Sequence, residues 1–272
     1  MIRKFEIPYN FDPNYVATLK QCGLINDSIA FVYVAPFYED YVTVIREEPY
    51  PFSSLTREQY AGHIQKLKIA FPNKLQLLLQ KKDKIMSKEQ LQWYIDLGFS
   101  HFCCGNPEQA RMIKEINPNF TVIGSIILHA TAKEITDFND YYKKFFDYFV
   151  LDFSYGRNLF AIKCMPSTKK YMILVNAICH RHCDGDHHWN IKSLNDVMIC
   201  PGKFGVEHND FNQTTWIRPM DLKYFDPYID VYKIQDRSWS TAEIVRDIIL
   251  YTTDYSLWPA IEYNEKMYDT DD

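Results

Sequence analysis

Cys179, Cys183 and Cys200 fall within one short reach of the chain, interleaved with His180, His182, His187, His188, Asp184 and Asp186. So dense a set of sulfur, imidazole and carboxylate groups exceeds what packing needs. Thiolates bind soft or borderline metals, which makes zinc and iron–sulfur clusters the natural occupants. Cys179 and Cys183 stand four apart and Cys200 seventeen further on, which is not the two-residue gap of a common zinc knuckle. With His187 or His188 added, the set still reaches the four ligands that zinc takes. The alternative is that the cysteines fill core and the histidines decorate a solvated loop. The density of the cluster argues against it.

These residues need a scaffold, and the flanking sequence supplies one. Phe5–Pro8 reads as a short strand, and Ile29–Ala35 is an almost continuous apolar run, as in a strand buried on both faces. Thr56-x-x-Gln59, Ser87-x-x-Gln90, Thr131-x-x-Glu134 and Ser240-x-x-Glu243 are capping boxes that each open a helix. Asn106-Pro107 is an N-cap followed by proline at the first helical position. Between these helices lie apolar strands at 75–79, 101–104, 121–128, 148–153, 171–178 and 230–234. Six regular strand–helix units in sequence predict a (β/α)8 TIM-like barrel of one domain, residues 1–255. A cysteine- and histidine-rich insert at 179–216 and an acidic tail at 256–272 complete the chain. A doubly wound open sheet is the competing architecture, weakened because no glycine-rich dinucleotide fingerprint follows the first strand.

In such a barrel chemistry belongs at the C-terminal ends of the strands. That end collects Asn10, Cys104, His129, Asp152, the cysteine segment, Lys233 and Arg237. His187 and Asp152 are the candidates for proton transfer, with His129 beside them. Lys233 and Arg237 are candidates to bind an anionic group of the substrate, and Asn10 to contact it. Cys103 and Cys104 end a strand and point to opposite sides, and Cys104 is the expected fourth metal ligand, with Cys164 second. Cys22 is expected to be packing. Glu6 lies inside the first strand, where a carboxylate in the barrel interior needs a partner or a job.

Composition narrows the class. The 272 residues include 47% hydrophobic and 16% aromatic residues, enough for one sizeable core. A formal net charge of -5 argues against a general nucleic-acid binder. No run of about 18 apolar residues is present to span a membrane, and residues 1–6 lack the apolar stretch of a signal peptide. With an odd count of seven cysteines, the chain is expected to be cytoplasmic, where disulfides are rare.

Three stretches resemble the collagenase-like U32 peptidase family. Glu6-Ile-Pro-Tyr-Asn10 is similar to that family's opening strand, and Asn176-x-x-Cys179-x3-Cys183 with Cys200 to its cysteine-bearing region. Ile217-Arg-Pro-Met-Asp221-Leu222 followed by Val231-Tyr-Lys233-Ile-Gln-Asp236-Arg237 resembles its Asp-Leu then Lys-Ile-Glu-Gly-Arg hallmark, with Gln235-Asp236 in place of Glu-Gly. The resemblance implies a barrel and either peptidase activity or oxygen-independent hydroxylation of RNA bases or a quinone ring. In the hydroxylases four cysteines hold a 4Fe-4S cluster, and Cys179, Cys183 and Cys200 map onto three of them.

The expectation is therefore an iron–sulfur-dependent modification enzyme, hydroxylase-like, acting on a small molecule, RNA base or peptide with an electron donor as partner. The alternatives are a peptidase, zinc-dependent through the same cysteines and His187, and a non-catalytic metal-containing partner subunit.

Overall fold

The alternation of apolar strands and capped helices closes on itself. The computed structural model describes residues 2–40, 54–81, 84–128, 143–152, 158–177, 215–235 and 240–253. Its strands β1 to β8 form one closed barrel in sequence order. They are β1 (Phe5–Pro8), β2 (Ile29–Val34), β3 (Leu75–Leu79), β4 (His101–Cys104), β5 (Thr121–Gly124), β6 (Tyr148–Val150), β7 (Lys170–Leu174) and β8 (Val231–Lys233). Every neighbouring pair is parallel, and β8 closes onto β1 through Phe5↔Tyr232 and Glu6↔Lys233. This is the (β/α)8 barrel, and the open sheet is excluded.

Alternate residues on each strand face opposite ways, so the barrel has two hydrophobic layers. Phe5, Ile7, Val32, Val34, Leu77, Leu79, Phe102, Cys104 and Val122 join the helices in the outer layer. Phe31, Tyr33, Leu78, Cys103, Ile123, Val150, Met172, Leu174 and Val231 form the inner one. The expected strands were placed correctly but drawn too long at C-terminal ends, by three or four residues in β5, β6 and β7. β5 stops at Gly124 because Ile126–Leu128 turns into a 3-10 helix, and β7 stops at Leu174.

The helices start where their caps direct. Thr56, Ser87 and Ser240 each accept from the backbone N–H three residues on, and each third residue returns the bond to the cap's own N–H. They open α2 (Arg57–Ala70), α3 (Lys88–Leu97) and the final helix Thr241–Thr252. Asn106 caps α4 (Pro107–Ile116) through Glu108 N. Each cap is worth about 1 kcal/mol. The capping box at Thr131, all of the insert 179–216 but its last two residues, and the tail from 256 lie outside the described residues. Among the described residues, no helix is long and apolar enough to cross a membrane.

Gly105 marks a close approach of two chain segments. Its N–H donates to Leu79 O at 2.8 Å, and a Cβ there would lie 2.3 Å from the backbone oxygen of Gln80. A backbone atom cannot swing aside, so Gly105→Ala is expected to cost about 1–3 kcal/mol. Urea unfolding would read this as a lowered midpoint, and an unchanged midpoint would contradict it.

Candidate functional site

Phe5 and Ile7 turn to the helices, which sends Glu6 into the barrel interior, where it is 0% exposed. The strand partner of Glu6 across the closure is Lys233, and the two form a direct ion pair through Glu6 Oε1. Gln76, also 0% exposed, enters from β3 and donates from Nε2 to the same oxygen at 2.8 Å. Tyr33, from β2, offers its ring face to the Lys233 ammonium, 3.8 Å from the ring centroid. Four adjacent strands thus build one polar wall. The wall opposite, from β4 to β7, is lined by Cys103, Ile123, Val150 and Met172.

Taking a carboxylate and an ammonium out of water costs several kcal/mol per ion. The direct pair, the charge-assisted amide bond and the cation–π contact offset that cost. The compensation is incomplete: Glu6 Oε2 and Gln76 Oε1 are buried acceptors with no hydrogen-bond partner among the described residues.

The mouth of the barrel is tied by a second polar group. Asn176 Nδ2 donates to Gln235 O and, at 2.9 Å, to Asp247 Oδ2, while its Oδ1 accepts from Gln235 N at 2.9 Å. One side chain therefore joins the exits of β7 and β8 to the final helix. One residue further on, Ala177 O accepts from Thr215 Oγ1 at 2.9 Å, and Ile217 N donates to Val175 O at 2.9 Å. The segment carrying Cys179, Cys183 and Cys200 consequently departs and returns at one point, the C-terminal end of β7 beside Lys233. Asn10, where β1 exits, donates to Thr241 Oγ1 at 3.1 Å and accepts from Asp12 N at 3.1 Å. It anchors the start of the final helix.

Burial raises the Asp247 carboxyl above its ordinary value, against the opposing hydrogen bonds from Asn176 and Arg246. The folded protein then holds that proton to higher pH than the unfolded chain does. The resulting penalty is absent below the ordinary carboxyl value of 3.8 and complete above the raised folded value. Asp247→Asn removes the titration, so the variant should gain stability relative to the parent as pH rises through that window. Urea midpoints of both proteins across acidic pH check this, and a constant difference would refute it.

Of the residues expected at the site, the structure brings Lys233, Asp152 and Asn10 to the mouth or the interior beneath it. Asp152 follows β6, 9% exposed, four strands around the wall from β2. Lys233 differs from expectation in one respect: its charge is matched by Glu6, so it is not a free cation awaiting an anion. Cys104, the expected fourth metal ligand, points into the outer layer with the helices, where burial raises its thiol well above the ordinary value. Cys103 is the member of that pair that faces inward. Cys22 and Cys164 are exposed. His129, His187, Arg237, Cys179, Cys183 and Cys200 lie outside the described residues. Among the described residues, no group of three or more His, Cys, Asp or Glu could hold a metal ion.

Gln76, Tyr33, Asn176 and Asp247 were not singled out as site residues from the sequence. Gln76 did carry a signal, as the lone polar residue in Leu-Gln-Leu-Leu-Leu. Asp221 and Leu222, from the closing motif, have structural work: Asp221 pairs with Arg218 at 2.7 Å, and Leu222 O accepts from Tyr232 Oη at 3.1 Å. A groove of about 610 Å³ lies at the opposite end of the barrel, lined by Arg3, Lys4, Lys169, Tyr171 and Asp226. Its cations are committed, Arg3 to Asp226, Lys4 to Asp27 O and Lys169 to the carbonyls of Lys143 and Phe146.

No protein-family model matches the chain, and no curated protein matches it. Among solved structures, that of the U32 peptidase Mk0906 superposes with a TM-score of 0.53 at 12% identity, covering 87% of this chain and 93% of that one. The likeness is one of fold. Most of each chain takes part, so it is the barrel as a whole, not a shared fragment, that the two have in common.

Proposed function

We propose that this chain is an iron–sulfur-dependent modification enzyme, hydroxylase-like, whose chemistry takes place at the C-terminal mouth of the barrel. The observation that carries the reading is the buried Glu6–Lys233 pair directly beneath the point where the cysteine segment departs and returns. A buried ion pair is weak support for stability, since apolar replacements of similar volume are often as good. Its presence under a tethered metal-ligand segment favours a functional use. The fold likeness to a U32 peptidase structure supports an enzyme of this architecture.

The donor set fits a thiolate-bound group. Cys179, Cys183 and Cys200 are three sulfur donors on one segment closed at its base, and Cys103 is the member of its pair that faces the barrel interior. The group would supply electrons or a Lewis-acidic iron. Around it, His187 and Asp152 would move protons, Arg237 and Asn10 would contact substrate, and Lys233 would present an N–H held in place by Glu6 and Tyr33. The substrate is a small molecule, RNA base or peptide. The zinc-dependent peptidase is the second reading, favoured by the fold likeness and by the availability of His187 as a fourth ligand.

Anaerobic purification followed by metal and acid-labile sulfide analysis separates the two. Brown protein with iron and sulfide in matching amounts is the expected result. Colourless protein with stoichiometric zinc would overturn the cluster in favour of the peptidase, and protein with neither would leave no metal enzyme.

A further inference from the structure

The polar wall of the barrel interior is unbalanced in a way that specifies a guest. Glu6 and Lys233 cancel in charge, so the wall as a whole is neutral. Its hydrogen-bond ledger is not neutral, because Glu6 Oε2 and Gln76 Oε1 are both acceptors, both buried and both unpartnered among the described residues. A buried unsatisfied acceptor costs about 1–3 kcal/mol, and two occur side by side, joined by the amide–carboxylate bond of 2.8 Å. That bond keeps them within one small volume. Lys233 and Tyr33 are slightly exposed, at 6% and 3%, against 0% for Glu6 and Gln76, so the two acceptors belong to the most deeply buried members of the group.

What such a site takes follows from its charge and polarity. An anion is rejected: it meets two oxygen acceptors and an ammonium already neutralised. A second cation gains nothing from a carboxylate whose charge Lys233 has cancelled. A neutral group with two N–H or O–H donors satisfies both oxygens with no charge to desolvate. The apolar wall formed by Cys103, Ile123, Val150 and Met172 suits a carbon body behind that group.

We propose that Glu6 and Gln76 form a specificity site that accepts a neutral, donor-bearing group of the substrate, such as a carboxamide or an exocyclic amine, in preference to a carboxylate or phosphate. This rests on the reading of the mouth as the active end and narrows its substrate class. Lys233 and Tyr33 act as positioning residues, fixing the Glu6 carboxylate through the ion pair and directing its second oxygen at the guest.

Formamide and formate are a matched pair of probes, alike in size and planarity and differing in charge and donors. The full-length protein, with its glutamine side chains labelled with nitrogen-15, would be titrated with each. The Gln76 amide signal is assigned through bonds, so no variant has to fold. Formamide should shift that signal saturably, and formate at equal concentration should not. In Glu6→Gln, which keeps shape and removes the charge, formamide binding should weaken at least tenfold while the fold, checked by circular dichroism, is kept. An equal or larger response to formate, no response to either probe, or unchanged formamide binding in Glu6→Gln would each overturn the proposal. The outcome is independent of metal content: a formamide response in iron-free protein would sink the cluster alone, and iron-loaded protein without it would sink this site alone.

Discussion

Replacing Cys183 with alanine is expected to remove the bound metal and its colour while leaving the barrel folded. Binding free energy at a thiolate site is also ordering free energy for the segment that carries the ligands, and loss of one of three cysteines removes a ligand that no described residue replaces. The barrel strands pair with one another below that segment. The pairing of Leu174 with Lys233 and the bonds from Thr215 to Ala177 and from Ile217 to Val175 close the structure below it. Iron and sulfide should fall to background, circular dichroism should stay near that of the parent, and limited proteolysis should cut within 179–216. Full iron retention would remove Cys183 from the ligand set. Global unfolding would mean that the metal belongs to the core.

The second large effect concerns the pair beneath. Glu6→Leu leaves the Lys233 ammonium buried without its counter-charge, and breaking a buried pair in this way costs about 3–5 kcal/mol. Lys233→Met strands the Glu6 carboxylate, which is 0% exposed, and should cost as much. The double replacement puts apolar groups of similar volume in both places and should recover most of the loss, because no charge remains to be desolvated. A double-mutant cycle by urea unfolding measures this directly. Additive losses would show that the pair is not coupled. Full stability in the double variant, combined with loss of activity, would show that the interior is polar for function at the expense of stability.

The scaffold was largely legible in the sequence because its signals are local. A capping box fixes the start of a helix within four residues, so α2, α3 and the final helix begin where Thr56, Ser87 and Ser240 place them. Continuous apolar runs such as Ile29–Val34 and Leu75–Leu79 mark strands covered on both faces. Repetition of the unit then favours a barrel over a doubly wound open sheet, and closure of β8 onto β1 decides it. The cysteine segment stood out by composition alone, as a candidate for metal ligation. It was also legible that Cys103 and Cys104 face opposite ways, since the period of a strand is two.

Which of them faces inward was not legible. That depends on the parity of β4 against its neighbours, set by Leu78↔Cys103 and Leu79↔Cys104, a register that pairing across strands decides. The partner of Glu6 was equally hidden: Lys233 stands 227 residues away and meets it because the barrel closes β8 onto β1. A lone carboxylate in a strand shows that some partner must exist, since an unpaired buried charge is too costly. Only the closed sheet could say that the partner is Lys233, that Gln76 shares the same oxygen, and that two acceptors are left over. Sequence determined which groups are present and which elements carry them. Tertiary structure decided which groups meet, because desolvation and hydrogen-bond satisfaction are properties of neighbours in space.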